Sequence, residues 1–152
     1  MNIIAIDPGT TESAFVGWDG KKVTDSGFVP NGILIDYFFA RQSFRMADAI
    51  AIEMIACYGM AVGKETFETC VWIGRFIEAS PIMPRRVYRK DIKIHLCGSM
   101  KAKDANIRQA LIDKHGAPGT KKKPGPTHGV SGHLWAALAV ADYAASDREF
   151  FL

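Results

Sequence analysis

No apolar run in this 152-residue sequence approaches the ~20 residues needed to cross a bilayer, so no transmembrane helix is expected. The start is short and carries Asp7, which argues against a signal peptide. Cysteine is scarce. Cys57, Cys70 and Cys97 are odd in number, far apart and without a CxxC pair, which argues against a disulfide framework or a zinc knuckle. Each is expected to be a small buried hydrophobe in a reducing cytoplasm. No internal repeat is visible. The length and an ordinary composition, 48% hydrophobic and 23% charged, imply one globular domain over residues 1–152.

The net charge is only +3, but it is unevenly spread. Residues 85–123 hold twelve Lys or Arg against three acids, a net +9, which leaves −6 elsewhere. Such a split suits a polyanion on one face and an acidic remainder that includes a metal site. The plainer reading is a solvated basic surface.

The opening NIIAIDPG reads as a buried strand stopped at Pro8-Gly9. SAFVGWDG and KKVTDSGFVP read as two further strands that close an antiparallel meander. Asn31 is placed to cap one helix running through residues 32–47, and DAIAIEMI is the next strand. ACYGMAVGKE is expected to loop out. A helix then covers residues 66–79, where Phe67, Cys70, Val71, Gly74 and Ile77 share one face. Phe67, Trp72 and Phe76 are expected in core or dimer packing. RRVYR reads as a short strand, KDIKIHLCG as a short helix or turn, and KDANIRQALIDKHG as a helix ended by Gly116. Residues 116–130, with three prolines and a Lys triplet, are expected to be a mobile basic loop. A last, Ala-rich helix follows, with Ser131 as its N-cap. The order implies an α/β fold, a mixed sheet with helices packed on it.

An acid inside a buried strand is costly unless something pairs with it. Asp7 ends one apolar run and Glu53 lies within another. Two such acids in strands that can be neighbours call for a shared cation, and clustered carboxylates suit Mg²⁺ or Mn²⁺. The plainer readings are a turn cap for Asp7 and a buried pair with an Arg for Glu53. His133, in the first turn of the last helix, is placed to point back at the carboxylates. A lone His at a helix start is more often a surface or capping residue.

Four segments, IIAIDPGTTESAFVGWD, AIEMIACYGMAVGKETFETCVWIGRFIE, VYRKDIKIHLCGSMKAKDANIRQALI and GVSGHLWAALAVA, occur in the order seen in RuvC-like Holliday-junction resolvases. They resemble most the small versions carried by bacteriophages. The resemblance covers nearly the whole chain. It implies an RNase H-like fold, with a five-stranded mixed sheet flanked by helices. It also implies a homodimer that cuts Holliday junctions and other branched DNA (forks, flaps, three-way junctions) with Mg²⁺ or Mn²⁺, in the cytoplasm of a bacterial host cell. By this resemblance Asp7, Glu53 and His133 are the catalytic residues and metal ligands, for up to two ions per site. Where the family often has a further acid, this chain has Ala136, which weakens the case for a second ion. Lys101 and Lys103, just before DANIRQAL, stand where the family has basic residues near DNA. Lys121, Lys122 and Lys123 are expected to contact phosphates beside the site, on the loop that leads to His133. Tyr58 or Met60 is expected to enter the junction centre.

Three other readings compete. The IDPGTT turn resembles the phosphate turn of sugar kinases, actin-like proteins and heat-shock chaperones. Those proteins close two lobes on a nucleotide, whereas this chain offers one lobe and no second phosphate motif. Another RNase H-like nuclease, acting on RNA, fits the basic loop less well. A branched-DNA-binding module without catalysis is suggested by Ala136.

Overall fold

Side chains that alternate along the strands lay down two separate cores, one on each face of a sheet. β1 (Ile3–Asp7), β2 (Glu12–Trp18) and β3 (Val23–Pro30) form the expected antiparallel meander. β4 (Ala49–Met54) pairs with β1, and β5 (Arg85–Tyr88) with β4, both in parallel. The sheet is therefore five-stranded and mixed, in the order β3-β2-β1-β4-β5. The computed structural model describes residues 1–147 and Glu149.

Ile4, Ile6, Phe15, Ile50 and Ile52 face one side. There α1 (Asn31–Ala40), α2 (Gln42–Arg45) and α3 (Lys64–Ala79) cover them with Leu34, Phe38, Phe44, Ile73 and Phe76. Ile3, Ala5, Ala14, Val16 and Ala51 face the other side, beneath α4 (Arg89–Cys97), α5 (Asp104–His115) and α6 (Leu134–Ser146). Small residues on both partners, Ala5 and Ala51 against Ala137 and Ala141, let α6 lie close to the strands. Among the described residues no helix is long and apolar enough to cross a membrane.

Several elements differ from expectation for visible reasons. The single helix expected over residues 32–47 breaks at Arg41, whose backbone is extended. Its guanidinium pairs with Asp25 on β3 (2.6 and 2.8 Å) and lies over Tyr37, which turns the chain. α6 starts at Leu134 with His133, not Ser131, at its N-cap. On α3 the buried residues are Thr69, Ile73 and Phe76. Phe67, expected in core or dimer packing, and Val71 on the same helical stripe are 60% and 59% exposed, so neither joins the core of its own chain. The cysteines are not buried either: Cys70 is exposed, and Cys57 and Cys97 are half-buried. The 116–130 loop carries an isolated bridge between Gly119 and Pro124, with Thr127 buried beneath it and donating to the Gly116 carbonyl (2.8 Å).

Candidate active site

One row of residues crosses the sheet on the α6 side. Phe28 pairs with Ala14 and Ala14 with Asp7. Ile6 pairs with Ile52, so one step further Asp7 stands beside Glu53, and Glu53 pairs with Val87. The period-2 alternation that sends Ile6 and Ile52 into one core sends Asp7 and Glu53 to the opposite face. The two carboxyls meet at the ends of adjacent parallel strands.

The turn after Asp7 is locked from below. Ser13 Oγ accepts from the Gly9 N–H (3.0 Å) and donates to Asn31 Oδ1 (2.6 Å). Asn31 Nδ2 donates to the Gly9 carbonyl (3.0 Å), and the Asn31 N–H donates to the Thr11 carbonyl (2.9 Å). A Cβ on Gly9 would lie 2.2 Å from the Glu12 carbonyl oxygen, so only glycine fits there. Ser13 and Asn31 are both buried. Gly9 and the Thr11 carbonyl thus spend their backbone polar groups on the fold, which holds the turn that aims Asp7. Asn31, expected to cap α1, instead clamps this turn.

Three helices bring their N-termini to the same cleft, about 310 Å³ in volume. Arg89 opens α4, Asp104 opens α5 and His133 caps α6, and all three line it with Asp7 and Glu53. The same helices are tied near their other ends. The buried Asp142 carboxylate on α6 accepts from His95 Nε2 (3.0 Å) on α4 and from His115 Nε2 (2.6 Å) and Lys114 Nζ (2.9 Å) on α5. Those donors hold its pKa below the usual carboxylate value despite burial. Asp142 is therefore a structural clamp that sets the spacing of the helices around the cleft.

His133 Nδ1 lies 4.0 Å from Asp7 Oδ2, and its ring stacks on Phe28 (centroids 4.9 Å apart, planes 17° apart). Burial raises the pKa of Asp7, partly offset by a hydrogen bond from Glu53 and the charges of Arg89 and His133. Burial, and then the Asp7 charge beside it, push Glu53 up to about 8, with Arg89 opposing. Near neutral pH the pair therefore keeps a proton between its carboxyls. A divalent cation is what would replace that proton and allow both acids to ionise. The donor chemistry of Asp7 and Glu53 fits a hard ion. Among the described residues, however, no group of three His, Cys, Asp or Glu side chains converges closely enough to hold one. His133 stands nearest as a third ligand.

The structure brings Asp7, Glu53 and His133 together. Lys103 sits at the N-cap of α5, directly before the cleft residue Asp104, and Lys101 is exposed just upstream. Tyr58 lines a neighbouring cleft with Asp7, Glu53 and Arg89, 61% exposed and with a left-handed backbone (φ 47°). None of Lys121, Lys122 and Lys123 lines this cleft. The base of their hairpin is held where the Val23 N–H donates to the Pro126 carbonyl (3.0 Å). That point is five residues along β3 from Phe28, or about 16 Å by strand rise. There the base of the hairpin flanks Lys21 and Lys22 of the β2–β3 turn.

Three cleft residues escaped sequence reasoning. Arg89 and Asp104 disappear into the basic window as ordinary charges. A usable signal for Arg89 was its place just past a strand that is parallel to the Glu53 strand. Phe28 shows none, because only the register of β3 sets it beneath His133.

No protein family model matches the chain, and no curated protein does. Solved structures do. Thermus thermophilus RuvC in complex with a Holliday junction substrate superposes with a TM-score of 0.69 at 20% identity, covering 95% of this chain and 93% of that one. A second Thermus thermophilus RuvC structure gives 0.66 at 21% identity, with the same coverage. The fold is RuvC-like. At this identity the likeness extends to the architecture, an RNase H-like five-stranded mixed sheet flanked by helices, as the sequence led us to expect.

Proposed function

We propose that the chain is a metal-dependent, structure-selective endodeoxyribonuclease that cuts Holliday junctions and other branched DNA by phosphodiester hydrolysis. The observation that carries this reading is the half-buried Asp7–Glu53 pair, which stands at the ends of adjacent strands and faces three helix N-termini. The likeness to RuvC bound to a Holliday junction supports the choice of substrate.

Asp7 and Glu53 would hold Mg²⁺ or Mn²⁺, with His133 as the third ligand. When bound, the ion activates water for attack and offsets the charge that develops on the phosphate. Asp7, aimed by the Gly9–Ser13–Asn31 network, would be the ligand that the fold orients most firmly. His133, exposed to solvent and steadied by Phe28, is placed to take the proton of the attacking water if it does not ligate. The products expected are a 5′-phosphate and a 3′-hydroxyl.

Lys101 and Lys103 meet phosphates next to the cut, and Lys121 to Lys123 meet duplex further along the protein. Tyr58 and Met60 project from the 55–63 loop, 61% and 78% exposed, and serve as the residues that enter the junction centre. A four-way junction has two-fold symmetry, so paired cuts fit a two-fold dimer. The exposed apolar edge of α3 at Phe67 and Val71 is the surface for it.

Asp7→Asn should leave junction binding intact and reduce cleavage by roughly a thousandfold or more, as loss of one member of a catalytic set does. One panel of four-way, three-way, flap, fork and structured RNA substrates, with Mg²⁺ and with Mn²⁺, measures this. Undiminished cutting by Asp7→Asn would sink the assignment. Ala136, where a further carboxylate would complete the site, favours a second reading as a junction-binding module. That reading requires binding without cutting by either metal in the same panel.

A further inference from the structure

Arg89 is held from two sides and satisfied on one. Its Nη2 donates to Asp104. Its Nη1 lies 3.6 Å from Glu53 Oε1, an ion pair too long for a hydrogen bond. Nη1 is buried and has no hydrogen-bond acceptor among the described residues. A buried guanidinium N–H without an acceptor is costly, and an anionic oxygen entering the cleft would remove that cost.

The surroundings select an anion. The N-termini of α4, α5 and α6 open on this cleft, each with the partial positive charge of its helix end. The guanidinium also lines the adjoining cleft beside Tyr58, so a strand passing from the 55–63 loop to Asp7 crosses it. Ala136 adds no carboxylate for a second ion, and Arg89 is a permanent cation on that wall. Asp104 is 86% exposed, so its pair with Arg89 is solvated and loosely held, open to exchange for phosphate.

We propose that Arg89 grips the phosphate being cut, donating Nη1 to a non-bridging oxygen, with Asp104 as the positioning residue that aims the guanidinium. This rests on the nuclease reading above and adds to the site a residue that takes up the negative charge developing on the phosphate. Water oxygen forms a new bond to phosphorus, the P–O3′ bond breaks, and the leaving 3′ oxygen takes up a proton. Arg89 forms and breaks no covalent bond and exchanges no proton.

The experiment compares full-length wild type, Arg89→Ala, Arg89→Lys, Asp104→Asn and Asp7→Asn on a four-way junction. Single-turnover cleavage is followed at saturating protein, and junction binding is measured without metal. Arg89→Ala should cut on the order of 10²–10³-fold more slowly, the usual loss for one preorganised donor, while binding stays close to wild type. Arg89→Lys, with a point charge in place of the fork, should fall between. Free guanidinium ion should restore part of the Arg89→Ala rate, which a purely structural role would not allow. Saturating Mn²⁺ should not restore it. If Arg89→Ala fails to fold, Arg89→Lys and Asp104→Asn carry the comparison, and wild-type rates in both overturn the proposal. Wild-type cutting by Arg89→Ala beside a dead Asp7→Asn also overturns it and leaves the nuclease reading standing. So does full rescue by Mn²⁺, which would place Arg89 in metal retention. A wild-type protein that cuts no branched DNA removes the nuclease reading and this proposal together.

Discussion

Glu53 sets how the site responds to pH. Its ionisation in the folded protein is delayed from 4.5 to about 8 by burial and by Asp7. A carboxyl with a raised folded pKa favours the fold while protonated. The metal-free protein should therefore lose stability as pH rises from about 4.5 through 8, by on the order of a few kcal/mol. Asp142 has the opposite sign, because its lowered pKa removes stability only in acid, below this window. Glu53→Gln should then flatten the dependence between pH 5 and 8.5 and melt above wild type at pH 8.5. Thermal melts in chelator test this, and a wild type that gains stability over that range relative to Glu53→Gln would contradict it. Mn²⁺ should raise the wild-type midpoint at pH 8 far more than that of Glu53→Gln, since binding must displace the shared proton.

At the scale of elements, α3 and the α4–α5–α6 group do different work. α3 buries Thr69, Ile73 and Phe76 and leaves Phe67 and Val71 in solvent, an apolar edge that the described residues leave uncovered. If that edge forms the dimer, Phe67→Asp with Val71→Asp should yield monomers in sedimentation or light scattering, with the melting temperature of the monomer little changed. A double variant that stays dimeric would move the interface elsewhere. The other three helices converge at both ends, on the cleft at their N-termini and on Asp142 further along. Fixing the far ends fixes the angle at which Arg89, Asp104 and His133 approach the carboxylates.

For the whole molecule the question is how DNA lies across it. The base of the hairpin that carries Lys121–Lys123 flanks Lys21 and Lys22 about 16 Å along β3 from His133's partner Phe28, close enough for one duplex arm to span hairpin and cleft. Replacing Lys121, Lys122 and Lys123 by Gln should weaken binding to all branched forms alike. It should also lower the slope of log K against log salt by up to about 3, near one per phosphate contact. An unchanged slope would mean that these lysines are merely solvated.

Much of this was readable one residue at a time. IIAID and AIAIEM declare strands by their apolar runs, and an acid inside such a run marks itself as needing a partner, which made Asp7 and Glu53 visible before any fold. Turn glycines and prolines divided the meander correctly, because backbone conformation there is local. What stayed hidden depends on contacts between distant segments. The helical stripe of α3 is apolar on more than one face, so periodicity did not say which face the sheet would cover. Arg41 broke a helix through a pair with Asp25 sixteen residues earlier. The Lys triplet looked adjacent to His133 along the chain, but Pro126 anchors it to Val23 at the far end of β3. Asp142 is the clamp on three helices, through partners 27 to 47 residues away in sequence. Local sequence determines which segments become strands and which acids are costly to bury. Register and helix packing, which act across tens of residues, determine that Arg89, Asp104 and Phe28 join Asp7, Glu53 and His133.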